Sequence, residues 1–273
     1  MIISHKHKFI FMHSLKTAGS SITVALQPLL SPNDLLSIDR YVFDDFRALD
    51  QIPTPFFSEK VAQTLRNEGF THAAEFMYEV LSARSFKAHP MSTSKFFSAY
   101  TKSSLYSHKL RQHAHLIGVK EAYPDAFGRY FKFAVEREPF ERLISLYKWR
   151  WSERYSKKTQ LKEKPSFEEF VMSIGLGKEK RHDYRSFAFS NSQIYSVGNK
   201  VEVNRLIDYA ELNSGLKEVS EKVGFEDISE KLPTIKSSAN KNLRYEYSPN
   251  MKMVVSRYLK RDLEAYAHVL KRT

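Results

Sequence analysis

Two short stretches gather cations, hydroxyls and a scarce glycine in the order that an anion site needs. The first is His13-Ser14-Leu15-Lys16-Thr17-Ala18-Gly19-Ser20-Ser21. Backbone N–H groups at a helix N-terminus lack intrahelical partners and together carry about half a positive charge. They suit an oxyanion of phosphate or sulfate. Gly19 lets the backbone approach closely, Lys16 adds a mobile point charge, and Thr17, Ser20 and Ser21 add hydroxyl donors. The same residues also fit a helix that is merely capped by Ser or Thr. The second stretch runs from Val135 through Glu136-Arg137-Glu138-Pro139 to Ser145. An arginine fork followed two helical turns later by a hydroxyl can clamp a dianionic phosphate. The competing reading is a surface pairing of Arg137 with Glu136 or Glu138.

Both stretches need a strand before them and a helix after them. Lys8 to Met12 reads as a short buried strand, and Ser20 to Leu29 as a helix stopped by Pro28 and Pro32. Tyr130 to Val135, rich in aromatics, is a second strand, and a helix runs from Pro139 to about Glu153, proline suiting its first turn. His113 to Tyr123 reads as a short amphipathic helix closed by Pro124. Later elements are a helix over Ser166 to Ile174, a strand over Glu202 to Asp208 and a helix over Leu212 to Val223 ended by Gly224. One long final helix spans Pro249 to His268, with Met253, Tyr258 and Tyr266 among its buried candidates. Residues 30 to 112 show helical patterns only at Asp44 to Leu49, Ser58 to Asn67 and His72 to Ala83, and read as an insertion that shapes a cleft. Strands alternating with helices argue for an α/β protein with a P-loop-like central parallel sheet flanked by helices. No repeat or linker divides the chain, so residues 1–273 are expected to form a single domain with that mostly helical insertion.

Composition narrows the partners. Forty-three Lys and Arg against 31 Asp and Glu give a net charge of +12, a field that favours polyanions or phosphorylated and sulfated ligands. The chain has no cysteine, which excludes disulfides, thiol nucleophiles and Cys-ligated zinc. No apolar run approaches a membrane span of about 18 residues, and a cytoplasmic protein is the expectation. Only 9 glycines occur in 273 residues, well under the usual ~7%, so a glycine inside a tight motif carries weight.

The order of the first stretch is not that of a Walker A loop, because the lysine precedes the only glycine. Taken together, the two stretches resemble the sulfotransferase superfamily, in particular the carbohydrate sulfotransferases of the heparan sulfate 2-O and bacterial sulfotransferase family 2 type. That family opens with H-I-P-K-T-A-G-[TS]-[ST], matched here by His13 to Ser21. Its second signature is F-x-F-[AV]-x-V-R-[ND]-P-[YFW]-[DE]-R-[LF]-[VIL]-S-x-Y. Here Phe131, Phe133 and Ala134 lead to Arg137, Pro139, Phe140, Glu141, Arg142, Leu143, Ser145 and Tyr147. Tyr209-Ala210-Glu211-Leu212, Leu232-Pro233, Ser237-Ser238, Tyr258, Asp262 and Tyr266 are similar to the family's C-terminal half. Three departures stand out. Leu15 replaces the usual proline, which predicts a less rigid loop. Glu136 and Glu138 add negative charge beside the proposed clamp.

The resemblance implies an enzyme that moves a sulfuryl group from 3′-phosphoadenosine 5′-phosphosulfate (PAPS) to an acceptor hydroxyl, expected on a glycan or glycoconjugate, with no metal. Carried over residue by residue, the 5′-phosphosulfate lies on Lys16, Thr17, Ala18, Gly19, Ser20 and Ser21, and the 3′-phosphate on Arg137 and Ser145. Sulfuryl transfer is an in-line displacement akin to phosphoryl transfer, so Lys16 is also the candidate that neutralises the leaving oxygen. The family's base, a His or Glu upstream of the second motif, maps to His113, with His115 as the alternative and His89 and His108 as outsiders. A histidine at a helix N-terminus feels positive potential that keeps it neutral. His5, His7 and the His113/His115 pair lack the carboxylates of a metal site. The alternatives are a P-loop-like kinase, which needs a strand-end acid for Mg²⁺, and a non-enzymatic polyanion binder. The basic clusters Lys157-Lys158 and Lys178 to Arg181 could motivate the latter but read better as solvated faces or an acceptor groove; nucleic acid is not an expected partner.

Overall fold

Short apolar runs build the sheet, and amphipathic helices cover both of its faces. A computed structural model describes residues 1–88, 91–107, 110–152, 164–175, 189–233 and 245–270. His89, His108, Lys157-Lys158, Lys178 to Arg181 and Ser237-Ser238 lie outside them.

The chain opens with a hairpin of β1 (Ile2–Ser4) and β2 (Phe9–Met12), paired antiparallel with Ile3 opposite Ile10. Next come α1 (Gly19–Leu26) and β3 (Leu35–Leu36), an edge strand antiparallel to β1. Four helices follow: α2 (Arg40–Ala48), α3 (Glu59–Asn67), α4 (Thr71–Ala83) and α5 (Thr93–Tyr100). Then α6 (Leu116–Ala122) and α7 (Pro124–Arg129) lead into β4 (Phe131–Glu136), which runs parallel to β2, and α8 (Pro139–Arg150). The remainder comprises α9 (Phe167–Met172), α10 (Ser192–Tyr195), the small hairpin of β5 (Ser196–Val197) and β6 (Lys200–Val201), and β7 (Arg205–Asp208), parallel to β4. Three helices end the chain: α11 (Leu212–Val223), α12 (Pro249–Tyr258) and α13 (Lys260–Leu270).

The main sheet has the order β3-β1-β2-β4-β7. Its centre is parallel, as alternation of strand and helix requires, and the N-terminal hairpin adds an antiparallel edge that the sequence did not reveal. Side chains alternate across the sheet. Phe9, Phe11, Phe133, Val135 and Ile207 join one cluster with α1, α11 and the helices of residues 40–100. Ile10, Met12, Ala134 and Leu206 join a second with Leu116, Val119 and Ala265. The segment read as an insertion shares the first cluster, where Phe43 stacks on Phe96 at 5.2 Å and meets Phe57, Phe86 and Phe97.

Several expected boundaries move. Pro124 does not only close α6; it opens α7, at the first-turn position where its missing N–H costs nothing. Residues 93–100, read as loop, form α5, capped by the Ser92 hydroxyl. The long terminal helix breaks at Leu259. The break lets Met251, Val255 and Leu259 pack beside α8 and α9 while Asp262 reaches Arg142 and Ala265 joins the second sheet face. Met253 and Tyr258, taken as buried, are 62% and 48% exposed.

Candidate active site

The parallel strands β2, β4 and β7 end on one edge of the sheet, where ligands of such sheets bind. From that edge spring the loop of residues 13–18, Arg137 and Tyr209. They border a cleft of about 430 Å³, within the usual range for small-ligand sites.

The loop owes its shape to backbone conformations that cost energy. Lys16 (φ 61°) and Ala18 (φ 60°) are both left-handed, a state that costs non-glycine residues of order 1–3 kcal/mol each. Ala18 is the N-cap of α1, and no side chain caps that terminus. The first turn of α1, which has no Ser or Thr side-chain cap, borders the cleft. Gly19 is required for a reason other than ligand approach. A Cβ there would sit 2.1 Å from His13 Cδ2 and 2.2 Å from Nε2. His13 is buried, stacked on Phe11 at 5.9 Å, and its Nε2 is 3.3 Å from the Gln112 side-chain amide.

Lys16, Thr17, Ala18, Gly19, Ser20, Ser21, His113, Arg137 and Ser145 all border the cleft. The Thr17 hydroxyl donates to the Ser14 carbonyl (3.2 Å) and shapes the loop. Lys16 Nζ lies 5.1 Å from the centre of the Trp149 ring, a cation–π contact. The Arg137 guanidinium does not pair with Glu136 or Glu138. Its guanidinium bonds Glu141 (3.1 Å) one helical turn on and lies 4.7 Å over the Tyr209 ring. Glu138 caps α8 by accepting from Glu141 N–H at 2.8 Å. Glu136 points inward, fully buried, and ion-pairs with Arg142 at 3.3 Å. Burial pushes its carboxyl above the usual range, against the pull of Arg142. Arg142 in turn bonds Asp262 at 2.7 Å. The two extra carboxylates therefore stand inside the protein or at a helix cap, not on the clamp.

The histidines separate. His113 Nδ1 is 2.8 Å from the His13 carbonyl oxygen. A carbonyl only accepts, so Nδ1 carries the proton and the lone pair of the neutral ring is on Nε2. His113 is not at a helix N-terminus; α6 begins at Leu116, and its N-cap is His115. The loop carbonyl sets the tautomer of its neutral ring. His115 is exposed and does not border the cleft. Its imidazole is held below the ordinary value, by partial desolvation and by the nearby Arg111 charge. His115 therefore stands outside the cleft that His113 borders. His5 bonds the Tyr130 hydroxyl and His7 packs against Phe225. Among the described residues no group of His, Asp and Glu could hold a metal, and no helix is long and apolar enough to cross a membrane.

Sequence reasoning missed Tyr41, Gln112, Trp149 and Asn191. Trp149 was accessible, one turn past Ser145 on the same helix face. Tyr41 comes from α2, whose pattern gave no hint of the cleft, and Asn191 arrives from a distant segment. The cleft brings together the first turn of α1 and Lys16 at one strand end, Arg137 and Ser145 after the next, and the rings of Trp149 and Tyr209.

The fold is that of an α/β protein whose parallel-centred sheet is flanked by helices and carries a cleft at the ends of its parallel strands. The sequence model of the sulfotransferase family matches residues 1–268, and the chain belongs to that family. It is a sulfotransferase, an enzyme of sulfuryl transfer to a hydroxyl acceptor; enzymes of the family generally draw on PAPS. No curated protein and no solved structure matches the chain.

Proposed function

We propose that the enzyme takes its sulfuryl group from PAPS and delivers it to a carbohydrate hydroxyl, with His113 as base. The observation that carries this reading is the single cleft that joins the uncapped start of α1, Arg137, Ser145 and a histidine of defined tautomer. Lys16 to Ser21 would hold the 5′-phosphosulfate, and Arg137 with Ser145 the 3′-phosphate. When bound, the nucleotide supplies the sulfuryl group. His113 accepts the acceptor's hydroxyl proton at Nε2. Lys16 neutralises charge on the leaving phosphate oxygen, and its stacking on Trp149 keeps the ammonium over the cleft. Tyr41 and Trp149, 5.7 Å apart, give the wall an aromatic face beside polar groups, the combination that suits a sugar ring.

Thermal unfolding with 3′-phosphoadenosine 5′-phosphate, set against 5′-AMP and ATP with Mg²⁺, tests the donor. At a hundredfold excess over Kd, a ligand of the folded state stabilises by about 2.7 kcal/mol, roughly 5–10 °C for a chain of this size. The expected result is a shift that requires the 3′-phosphate and is lost in Arg137→Ala. A shift with ATP and Mg²⁺ alone would replace this reading by that of a kinase. Transfer of radiolabelled sulfate to a panel of glycan, phenolic and lipid hydroxyls then tests the acceptor.

A further inference from the structure

Asn191 lies far from both motifs in sequence and is fully buried. Its carboxamide grips the backbone of Leu15 from both sides. The Leu15 N–H donates to Oδ1 at 2.9 Å, and Nδ2 donates to the Leu15 carbonyl at 3.1 Å. These partners fix which end of the amide is which. The other Nδ2 hydrogen goes to Glu136 Oε1 at 3.2 Å, and the backbone N–H of Asn191 donates to Asp262 Oδ1 at 2.7 Å. Glu136 Oε1 also accepts from the backbone N–H of Arg137 at 2.9 Å. Arg142 joins the two carboxylates. One buried network therefore holds the backbone beside Lys16 and the backbone of Arg137.

We infer that Asn191 is a positioning residue that sets the two anion-binding segments in register and holds Lys16 in its left-handed conformation. The reasoning rests on the site proposed above. Lys16 and Ala18 both occupy backbone states that relax unless their surroundings over-determine them. Leu15 directly precedes Lys16, and both of its backbone polar groups are bonded to Asn191. Leucine at this position, where the related pattern has proline, is what makes the grip possible, because proline has no N–H to donate. A hydrogen-bonded clamp takes over the restraint of a ring. Glu136, the second departure, receives the remaining Asn191 hydrogen. The departures at 15 and 136 are parts of one device.

The test uses the full chain. Hydrogen exchange without nucleotide should show slow exchange at Leu15. Asn191→Ala should speed exchange over residues 13–18 and around 137 while β4 and β7 keep their protection. Affinity for 3′-phosphoadenosine 5′-phosphate, read by calorimetry, should fall about tenfold or more, as loss of two backbone hydrogen bonds implies. In a Leu15→Pro background the same change should cost under threefold, because one bond is already gone and the ring restrains the chain. An equal loss of affinity in both backgrounds would overturn the inference. So would exchange in Asn191→Ala that is unchanged over 13–18 or raised throughout. If Leu15→Pro does not fold, the exchange pattern of Asn191→Ala alone decides. If the parent protein does not bind the bisphosphate, the donor reading fails, and the exchange data still decide the clamp.

Discussion

Replacing Gly19 by alanine distinguishes a glycine that serves the ligand from one that serves the protein's own packing. The backbone at Gly19 is not left-handed, so alanine brings no conformational strain; the two strained residues are Lys16 and Ala18. The obstacle is the His13 ring, with Cδ2, Nε2 and Cγ at 2.1, 2.2 and 2.9 Å from the added methyl. That ring cannot swing aside at little cost. It is 3% exposed, stacks on Phe11, and meets His113 edge-on at 4.8 Å. Overpacking of this kind costs about 1–3 kcal/mol, and displacement from Gln112 forfeits about 1 more. The expected loss is about 2–4 kcal/mol, or roughly 5–10 °C in Tm. Urea unfolding of Gly19→Ala, His13→Ala and the double variant supplies the assay. In the His13→Ala background the methyl has room, and Gly19→Ala should cost close to nothing. Equal costs in the two backgrounds would refute the packing argument. Intact stability in Gly19→Ala with lost bisphosphate binding would return the glycine to the ligand.

Other outcomes follow from the same geometry. His113→Ala should lower kcat by about 10²–10⁴ while bisphosphate affinity stays within twofold; undiminished turnover would remove His113 as the base. Arg142→Met leaves Glu136 and Asp262 buried without their cation and should cost about 3–5 kcal/mol in urea unfolding, whereas a loss under about 1 kcal/mol would mean that the carboxylates find other partners. Asp34 ties the β1–β2 turn to the segment before β3. Burial works against its charge, but N–H groups of Ser31, Lys6 and His5 and the Ser4 hydroxyl outweigh that and hold its carboxyl below the ordinary 3.8. Its folded-state value is depressed, so its contribution is complete above about pH 4 and fades as pH falls through the depressed value. Asp34→Asn should therefore be less stable than the parent at pH 7, and the gap should narrow as the pH falls below the ordinary carboxylate value of 3.8; a gap that stays constant with pH would contradict the assignment.

The chain's local chemistry was enough to place the two motifs. Phe9 to Met12 is a continuous apolar run and Phe131 to Val135 an aromatic-rich one, both suited to a strand buried on both faces, and each is followed within a few residues by a helix start. Lys16, Arg137 and Ser145 could be named because strand, loop and helix lie close in sequence, and the parallel register between β2 and β4 then brings them together, whereas His113 came from the family resemblance alone. The N-terminal hairpin stayed hidden because three residues carry too little periodicity to mark a strand. The break at Leu259 stayed hidden because both halves are good helix formers, and only their separate packing partners require a bend. The tautomer of His113 depends on a carbonyl 100 residues away, and the restraint on Leu15 on an amide 176 residues away. Such partners leave no mark on the local pattern of residues. Residue types and their spacing set the chemistry available at each strand end. The tertiary structure alone brought His113 to the cleft beside His13, decided where the charge of Glu136 goes and what holds the loop in its strained shape, because each depends on contacts between segments far apart in the chain.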